Sequence, residues 1–501
     1  MAKTIMVQGT CSNAGKSVLA AALCRIFRQD GYKTAPFKSQ NMALNSFVTA
    51  DGLEMGRAQA MQAEAAGILP DVRMNPILLK PTSDTGSQVI VNGRPVGTRT
   101  ARAYWAEKQA LRPVVQAAFD SLAAEHDVIV IEGAGSPAEI NLKRDDFVNM
   151  GLAAMLDAPV VLVGDIDRGG VFASLYGTVK LLEPDEQSRI KGLIINKFRG
   201  DAGILRPGLG TLEELTGKPV LGVVPFAPLD LDDEDSLSVR LDTHTASGQL
   251  DIVAVRLPHL SNFTDFSAFS RVPGVSLRYA ERPGQLGSAD LVILPGTKST
   301  LADLKWLRES GMEAKIMQLH AAGTPVAGIC GGYQMLGRRL RDPEGQEGGG
   351  ELRGLGLLPV ETVFRAEKTT VQARGEVLPQ EGFWGALSGA ATEGYEIHMG
   401  ETALSGDAQP FQKLRRGAET VPDGCVSGSV FGTYLHGVFD SPGFLRRLTR
   451  VLAERRGLVL DAAPPDPAQY REAQYDKLAA LVRDALDMEK LYRILEGDAS
   501  V

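Results

Sequence analysis

The chain has 501 residues, 44% of them apolar and 23% charged, with a formal net charge of −8. That length exceeds one ordinary hydrophobic core and sets two large domains as the expectation, and the acidic balance gives no support to general nucleic-acid binding. The four cysteines, Cys11, Cys24, Cys330 and Cys425, show no paired metal-ligand spacing. With no signal-peptide pattern and no apolar run long enough to span a bilayer, the reading is a cytoplasmic protein without membrane or nucleic-acid partners.

The apolar run Thr4-Ile5-Met6-Val7 reads as a first buried strand, and Val18 to Leu23 as a helix. Between them lies Gly9-Thr10-Cys11-Ser12-Asn13-Ala14-Gly15-Lys16-Ser17. Strand, glycine-rich turn and Gly-Lys-Ser opening a helix is the setting of a phosphate-binding loop. Unpaired backbone N–H groups and the helix dipole attract the anion. Lys16 reaches the outer phosphates, and the Ser17 hydroxyl sits on Mg²⁺. Gly9, Thr10, Ser12, Gly15, Lys16 and Ser17 are the candidate nucleotide-binding residues. The first glycine stands one place earlier than in the common pattern, where Thr10 takes its position.

Further along, 33–38 reads as a second strand running into the polar loop Ser39-Gln40-Asn41-Met42, and 52–67 as a helix preceded by Asp51. Apolar strands recur at 127–131, 159–163, 192–195 and 219–224. Continuous apolar strands alternating with helical segments imply a parallel sheet covered on both faces. Ligands of such sheets bind beyond the carboxyl ends of the strands, where Glu132, Asp165 and Asp167 fall. Mg²⁺ takes one or two carboxylates besides nucleotide phosphates; helix capping is the ordinary alternative for a strand-end acid. The mixed-charge loop 136–146, which ends at Asp146, and the segment around Arg168 suit a carboxylate-rich substrate held beside a phosphate. A solvated surface is their ordinary reading.

The acidic stretch near 228–235 marks a domain boundary. The expected division is an N-terminal unit at 1–228, a linker at 229–249, a second α/β unit at 250–445 and a helical extension at 446–501. In the second unit, Pro325-Val326-Ala327-Gly328-Ile329 runs into Cys330-Gly331-Gly332 and a helical segment. This is the design of a nucleophile elbow, where a sharp turn lifts the reactive side chain above the sheet. A helix N-terminus also favours the thiolate form of such a side chain. A cysteine nucleophile needs a base. His436, at the end of an apolar strand, is the candidate and His398 the alternative. Beyond Tyr475, apolar residues at helical spacing predict docking helices.

The motifs Gly9–Ser17, Pro36–Met42, Glu132–Leu142, Asp165–Ser174, Asn196–Asp201, Leu257–Phe266, Leu294–Thr300, Cys330–Gly337, Gly394–Gly400 and Gly432–Phe439 resemble, in one order, the cobyric acid synthase family of cobalamin biosynthesis. The first half is also similar to dethiobiotin synthetase and the second to class I glutamine amidotransferases. The resemblance implies an α/β fold in two parts: an N-terminal P-loop NTPase-like parallel sheet and a C-terminal class I amidotransferase-like domain. It further implies ATP and Mg²⁺ as cofactors, and glutamine and a corrinoid as substrates. The implied reaction is amidation of the b, d, e and g carboxylates of adenosylcobyrinic acid a,c-diamide through an acyl phosphate. By the same resemblance Glu132, with Asp51 as a second, joins Ser17 as a metal ligand. Gly296 and Gly331 form the oxyanion hole, Cys330 and His436 are catalytic, and Asn41, Asp146 and Arg168 face the substrate. One departure stands out: class I enzymes place a glutamate two residues after the histidine, and here that residue is Val438. Either the pair acts alone or another acid orients the imidazole, with Glu396 and Asp440 both open.

Overall fold

The computed structural model describes residues 2–83, 86–231, 248–460 and 465–498, and two six-stranded sheets organise its halves. The first sheet is wholly parallel, in the order Val220–Pro225, Ile190–Phe198, Val160–Asp165, Lys3–Gly9, Val128–Glu132 and Thr34–Phe37. Its central strands are apolar without alternation because both faces are covered. Ile5, Val7, Val128, Val130, Val161 and Val163 pack with the helix Lys16–Gln29 on one side. Met6, Ile129, Ile131, Val160 and Leu162 pack on the other. Lys3–Gly9 lies between Val128–Glu132 and Val160–Asp165, where the strand order reverses. Gly9, Glu132 and Asp165 therefore end three adjacent strands around one crevice.

The second sheet runs Val275–Ala280, Leu250–Val255, Leu291–Leu294, Val326–Ile329, Val430–Thr433 and Cys425–Ser427, parallel except for the last pair. The helix Pro442–Arg455 adds Phe444, Leu448 and Leu452 to that core. The helices expected in the tail are Pro467–Ala485 and Met488–Leu495. They return to the first half, where Tyr475, Leu478, Val482 and Leu491 join the core of Ile5 and Val7. Each such side chain contributes about 1.5–3 kcal/mol when fully buried. Arg25 reinforces the contact through Glu472 and Asp476, at 2.9 and 2.8 Å.

The expected helix at 52–67 begins later than its composition implied. Ser46–Val48 and Glu54–Gly56 pair as an antiparallel hairpin, and the helix is Arg57–Ala66. The reason is electrostatic. Glu54 is buried between Lys80, at 2.9 Å, and Lys368, and an extended backbone delivers it there. Most of the acidic linker expected at 229–249 lies outside the described residues.

Candidate active site

The phosphate loop is held open by its floor. Gly15 has φ +98°, and a Cβ there would lie 2.0 Å from Nδ2 of Asn196, so only glycine fits. That amide donates to the Ala14 carbonyl at 2.9 Å. Lys197 bonds the Asn13 carbonyl and the Asp165 carboxylate, so the strand-end acid Asp165 supports the loop. The Lys16 ammonium arches across it and donates to the carbonyls of Cys11 and Gly135 at 2.9 and 3.0 Å. The Ser17 hydroxyl donates to Oε1 of Glu132 at 2.8 Å. Glu132 is 1% exposed and also accepts from Lys38 at 2.8 Å, Gln62 at 2.6 Å and Gln59 at 3.2 Å. A cavity of about 650 Å³ opens over the loop, with Thr10, Ser12, Lys16, Asn41 and Asp146 in its wall.

Ser17 and Glu132 thus place two hard oxygen donors side by side at the end of the loop. That set fits a Mg²⁺ ion whose remaining ligands are phosphate oxygens and water. Among the described residues no cluster of three or more His, Cys, Asp or Glu could hold a metal. Asp51 stands elsewhere. It is at the tip of the 46–56 hairpin, bonded by the Thr49 hydroxyl, and lines a separate cavity beside Lys368 and Thr370. Arg168 is exposed, 3.9 Å from Asp165, and is not among the residues lining the phosphate-loop cavity. Asp146 spends its carboxylate on the backbone N–H groups of Val148, Asn149 and Gly151, opening the helix Met150–Met155.

In the second half Cys330 sits between Val326–Ile329 and the short helix Gly331–Leu336 with φ +52° and ψ −109°, a strained conformation for a non-glycine residue. Gly332 makes the turn feasible, since a Cβ there would fall 1.9 Å from the Leu294 carbonyl oxygen. Gly331, next to Cys330, and Gly296, against His436, both sit where a side chain would collide. A Cβ on Gly331 would meet Thr297 Cγ2 at 2.7 Å, and one on Gly296 would meet Cε1 of His436 at 2.9 Å.

On one side His436 lines the cavity that holds Cys330, whose Sγ lies 3.7 Å from the Ile397 carbonyl. On the other, its Nδ1 lies 2.6 Å from Oδ2 of Asp265, whose second oxygen accepts from the Gly437 N–H at 3.1 Å. Histidine and aspartate are 1% and 3% exposed. Burial alone would lower the His436 pKa; the Asp265 carboxylate and the Cys330 sulfur outweigh it and raise it. The Tyr395 ring stacks on the imidazole at 5.3 Å and 16°. Tyr395 and His436 also exchange backbone hydrogen bonds of 3.1 and 2.8 Å. The acid in contact with His436 is therefore Asp265, and neither Glu396 nor Asp440. Glu396 forms a bidentate pair with Arg416 at 2.5 and 2.6 Å, and Asp440 faces Arg271 at 3.8 Å. The alternative base, His398, stacks on Tyr434 at 3.7 Å and bonds the Gly400 carbonyl through Nδ1.

One arrangement has no sequence signal. The cavity holding Cys330 and His436, about 340 Å³, takes part of its wall from the first half of the chain: Lys80, Thr82, Gln88 and Thr98. These belong to the strands Ile77–Ser83, Gly86–Val91 and Arg94–Thr100, in which Lys80 pairs with Gln88 and Gln88 with Thr98. Their neighbours Leu79, Ser87 and Arg99 line the phosphate-loop cavity. Side chains alternate across a strand, so this small sheet is a partition with one cavity on each face.

Residues 5–236 match the model of a CobQ/CobB/MinD/ParA nucleotide binding domain, and residues 251–444 that of a CobB/CobQ-like glutamine amidotransferase domain. The chain is 55% identical to the cobyric acid synthase of Ruminiclostridium cellulolyticum over 99% of its own length and 98% of that protein's. It is 54% identical to that of Citrobacter koseri, over 99% of both chains. Among solved structures, one glutamine amidotransferase superposes with TM-score 0.30 at 22% identity, over 41% of this chain and 99% of its own. No helix among the described residues is long and apolar enough to cross a membrane.

Proposed function

The chain belongs to the cobyric acid synthase family and is an amidoligase using ATP and glutamine, and from that premise we propose its reaction in detail. It converts the b, d, e and g carboxylates of adenosylcobyrinic acid a,c-diamide to amides, giving adenosylcobyric acid. In this reading 1–228 is the amidoligase unit, 229–249 a linker, 250–445 the glutaminase unit and 446–501 an extension.

A carboxylate is a poor electrophile, so each amidation needs two stages. A substrate carboxylate oxygen attacks the γ-phosphorus of ATP, the bond to ADP breaks, and an acyl phosphate forms. Ammonia then attacks the acyl carbon and phosphate leaves. Lys16 and the loop N–H groups stabilise the transferring phosphoryl group. Ser17 and Glu132 would hold Mg²⁺, which neutralises phosphate charge when bound.

Ammonia comes from glutamine. The Cys330 sulfur attacks the side-chain amide carbon while the N–H groups of Gly331 and Gly296 receive the developing oxyanion. His436, oriented by Asp265, delivers a proton to the departing ammonia and then takes one from the water that hydrolyses the thioester. The observation that carries this reading is the buried Cys330–His436–Asp265 array backing onto the partition whose other face borders the phosphate loop.

The product mass after incubation with the a,c-diamide, ATP, Mg²⁺ and glutamine tests it. Four conversions of acid to amide are expected. Activity only at the a and c positions of unamidated cobyrinic acid would point instead to a sister diamide synthase.

A further inference from the structure

Among the described residues, five cationic side chains line the cavity over the phosphate loop: Lys16, Lys38, Arg99, Lys108 and Lys143. Four of them have an oxygen partner. Lys38 and Lys143 pair with Glu132 and Glu186, each at 2.8 Å, and Arg99 pairs with Glu107 at 3.2 Å. Lys16 bonds the carbonyls of Cys11 and Gly135. Lys108 differs. It is 4% exposed, and its ammonium makes no hydrogen bond or ion pair with any described residue. Instead it lies 4.7 Å from the ring centres of both Trp105 and Phe147. Ring faces attract a cation, but they leave its three N–H donors without an oxygen acceptor.

Two carboxylates act on this ammonium from beyond ion-pair distance, and both are engaged elsewhere. Asp146 accepts from the N–H groups of Val148, Asn149 and Gly151, and Asp145 accepts from Gln109 at 3.0 Å. Burial outweighs their attraction and lowers the Lys108 pKa. A desolvated ammonium without an anion in contact is costly unless a ligand brings one. The wall around it is not that of a phosphate site. Trp105 stands beside Lys108, and Met42 and Leu142 in the same cavity are 60% and 43% exposed. Such an apolar rim with one placed charge suits a carboxylate carried on a large hydrocarbon frame.

From the corrinoid reaction proposed above, we infer that the Lys108 ammonium binds the substrate carboxylate about to be phosphorylated, and so separates acid from amide at this site. One carboxylate oxygen pairs with the ammonium while the other attacks the γ-phosphorus, with ADP as the leaving group. Once ammonia has displaced the phosphate, the amide is neutral and the ammonium again lacks an anion. The acid is therefore held more tightly than its own product. Trp105 and Phe147 fix the place of the ammonium without neutralising it.

The test measures equilibrium binding of two corrinoids, the a,c-diamide and fully amidated adenosylcobyric acid, with Mg²⁺ and a non-hydrolysable β,γ-imido analogue of ATP present. The unaltered enzyme should bind the diamide at least about tenfold more tightly than the amidated product, the scale of one charge-assisted hydrogen bond. Lys108→Met keeps the aliphatic stem and removes the charge. Its Kd for the diamide should rise at least about tenfold, while those for adenosylcobyric acid and for the ATP analogue stay within about twofold. Its thermal midpoint should not fall, because the variant no longer buries an unpaired ammonium. Equal weakening of both corrinoids, weaker analogue binding or a lowered midpoint would mark a structural or phosphate-binding role and overturn the proposal. So would an unchanged Kd for the diamide. Absence of any acid-over-amide preference in the unaltered enzyme overturns it whether or not the variant folds. Failure of the unaltered enzyme to bind either corrinoid would instead overturn the corrinoid reading itself.

Discussion

Oδ2 of Asp265 lies 2.6 Å from Nδ1 of His436, a residue 171 positions further along the chain. That contact supplies the acid which class I enzymes keep two residues after the histidine, where this chain has Val438. The aspartate reaches it from the 3-10 helix Phe263–Arg271, beyond a different strand of the same sheet. In the proposed reaction Asp265 takes that role from another place in the sequence.

Replacing Asp265 by asparagine should keep the shape and remove the charge. Glutaminase turnover is expected to fall about 10²–10⁴-fold, as when an orienting carboxylate is lost from a comparable triad. The His436 pKa, held up by that carboxylate, should drop. The imidazolium would then lose its proton at lower pH than in the unaltered enzyme. NMR titration of the ring measures this, and an unmoved titration would remove Asp265 from the account.

Lys16→Ala should abolish amidation with either nitrogen source, by at least about 10²-fold, because no acyl phosphate forms. Glutamine- and ammonia-driven product formation, measured side by side, checks this. Survival of the ammonia reaction would place phosphoryl transfer elsewhere.

Glu54 joins the two halves through Lys80 and Lys368. Burial opposes its charge, but the two ammonium groups hold its carboxyl well below the usual range. A depressed carboxyl pKa contributes stability above the unfolded value and loses it only as pH falls through the folded one. The pair should therefore survive mild acid. Glu54→Gln leaves two buried ammonium groups without their anion and should cost about 3–5 kcal/mol, read from denaturant midpoints at neutral pH. A change under 1 kcal/mol, the scale of an exposed pair, would contradict this.

Gly394 lets the strand Ala391–Leu404 reach the histidine, since a Cβ there would fall 1.8 Å from the His436 carbonyl oxygen. Gly394→Ala should cost about 1–3 kcal/mol and slow glutamine hydrolysis more than ammonia-driven amidation. Equal effects on both would mean the strand does not position His436.

Much of this molecule was legible in its sequence, and the limits are physical. The strands of both parallel sheets appear as continuous apolar runs because both faces are buried. The elbow at Cys330 and the phosphate loop are local patterns whose geometry is fixed by neighbouring glycines. Asp265 was hidden, although the stretch Leu257–Phe266 that carried the resemblance contains it, because proximity to His436 is made by the sheet and not by spacing. The same holds for Lys38, Gln59 and Gln62 around Glu132. The hairpin before Arg57 was missed because a buried charge pair overrode local composition. The shared partition is a property of two packed domains and leaves no mark on either strand alone.

The central claim is that Cys330 only supplies nitrogen to chemistry performed at Lys16. Cys330→Ala, assayed by product mass with ATP and the a,c-diamide, tests it most directly. The account predicts that amidation driven by glutamine disappears while amidation driven by ammonium salt continues at a rate near that of the unaltered enzyme. Loss of both reactions in a folded variant would contradict it.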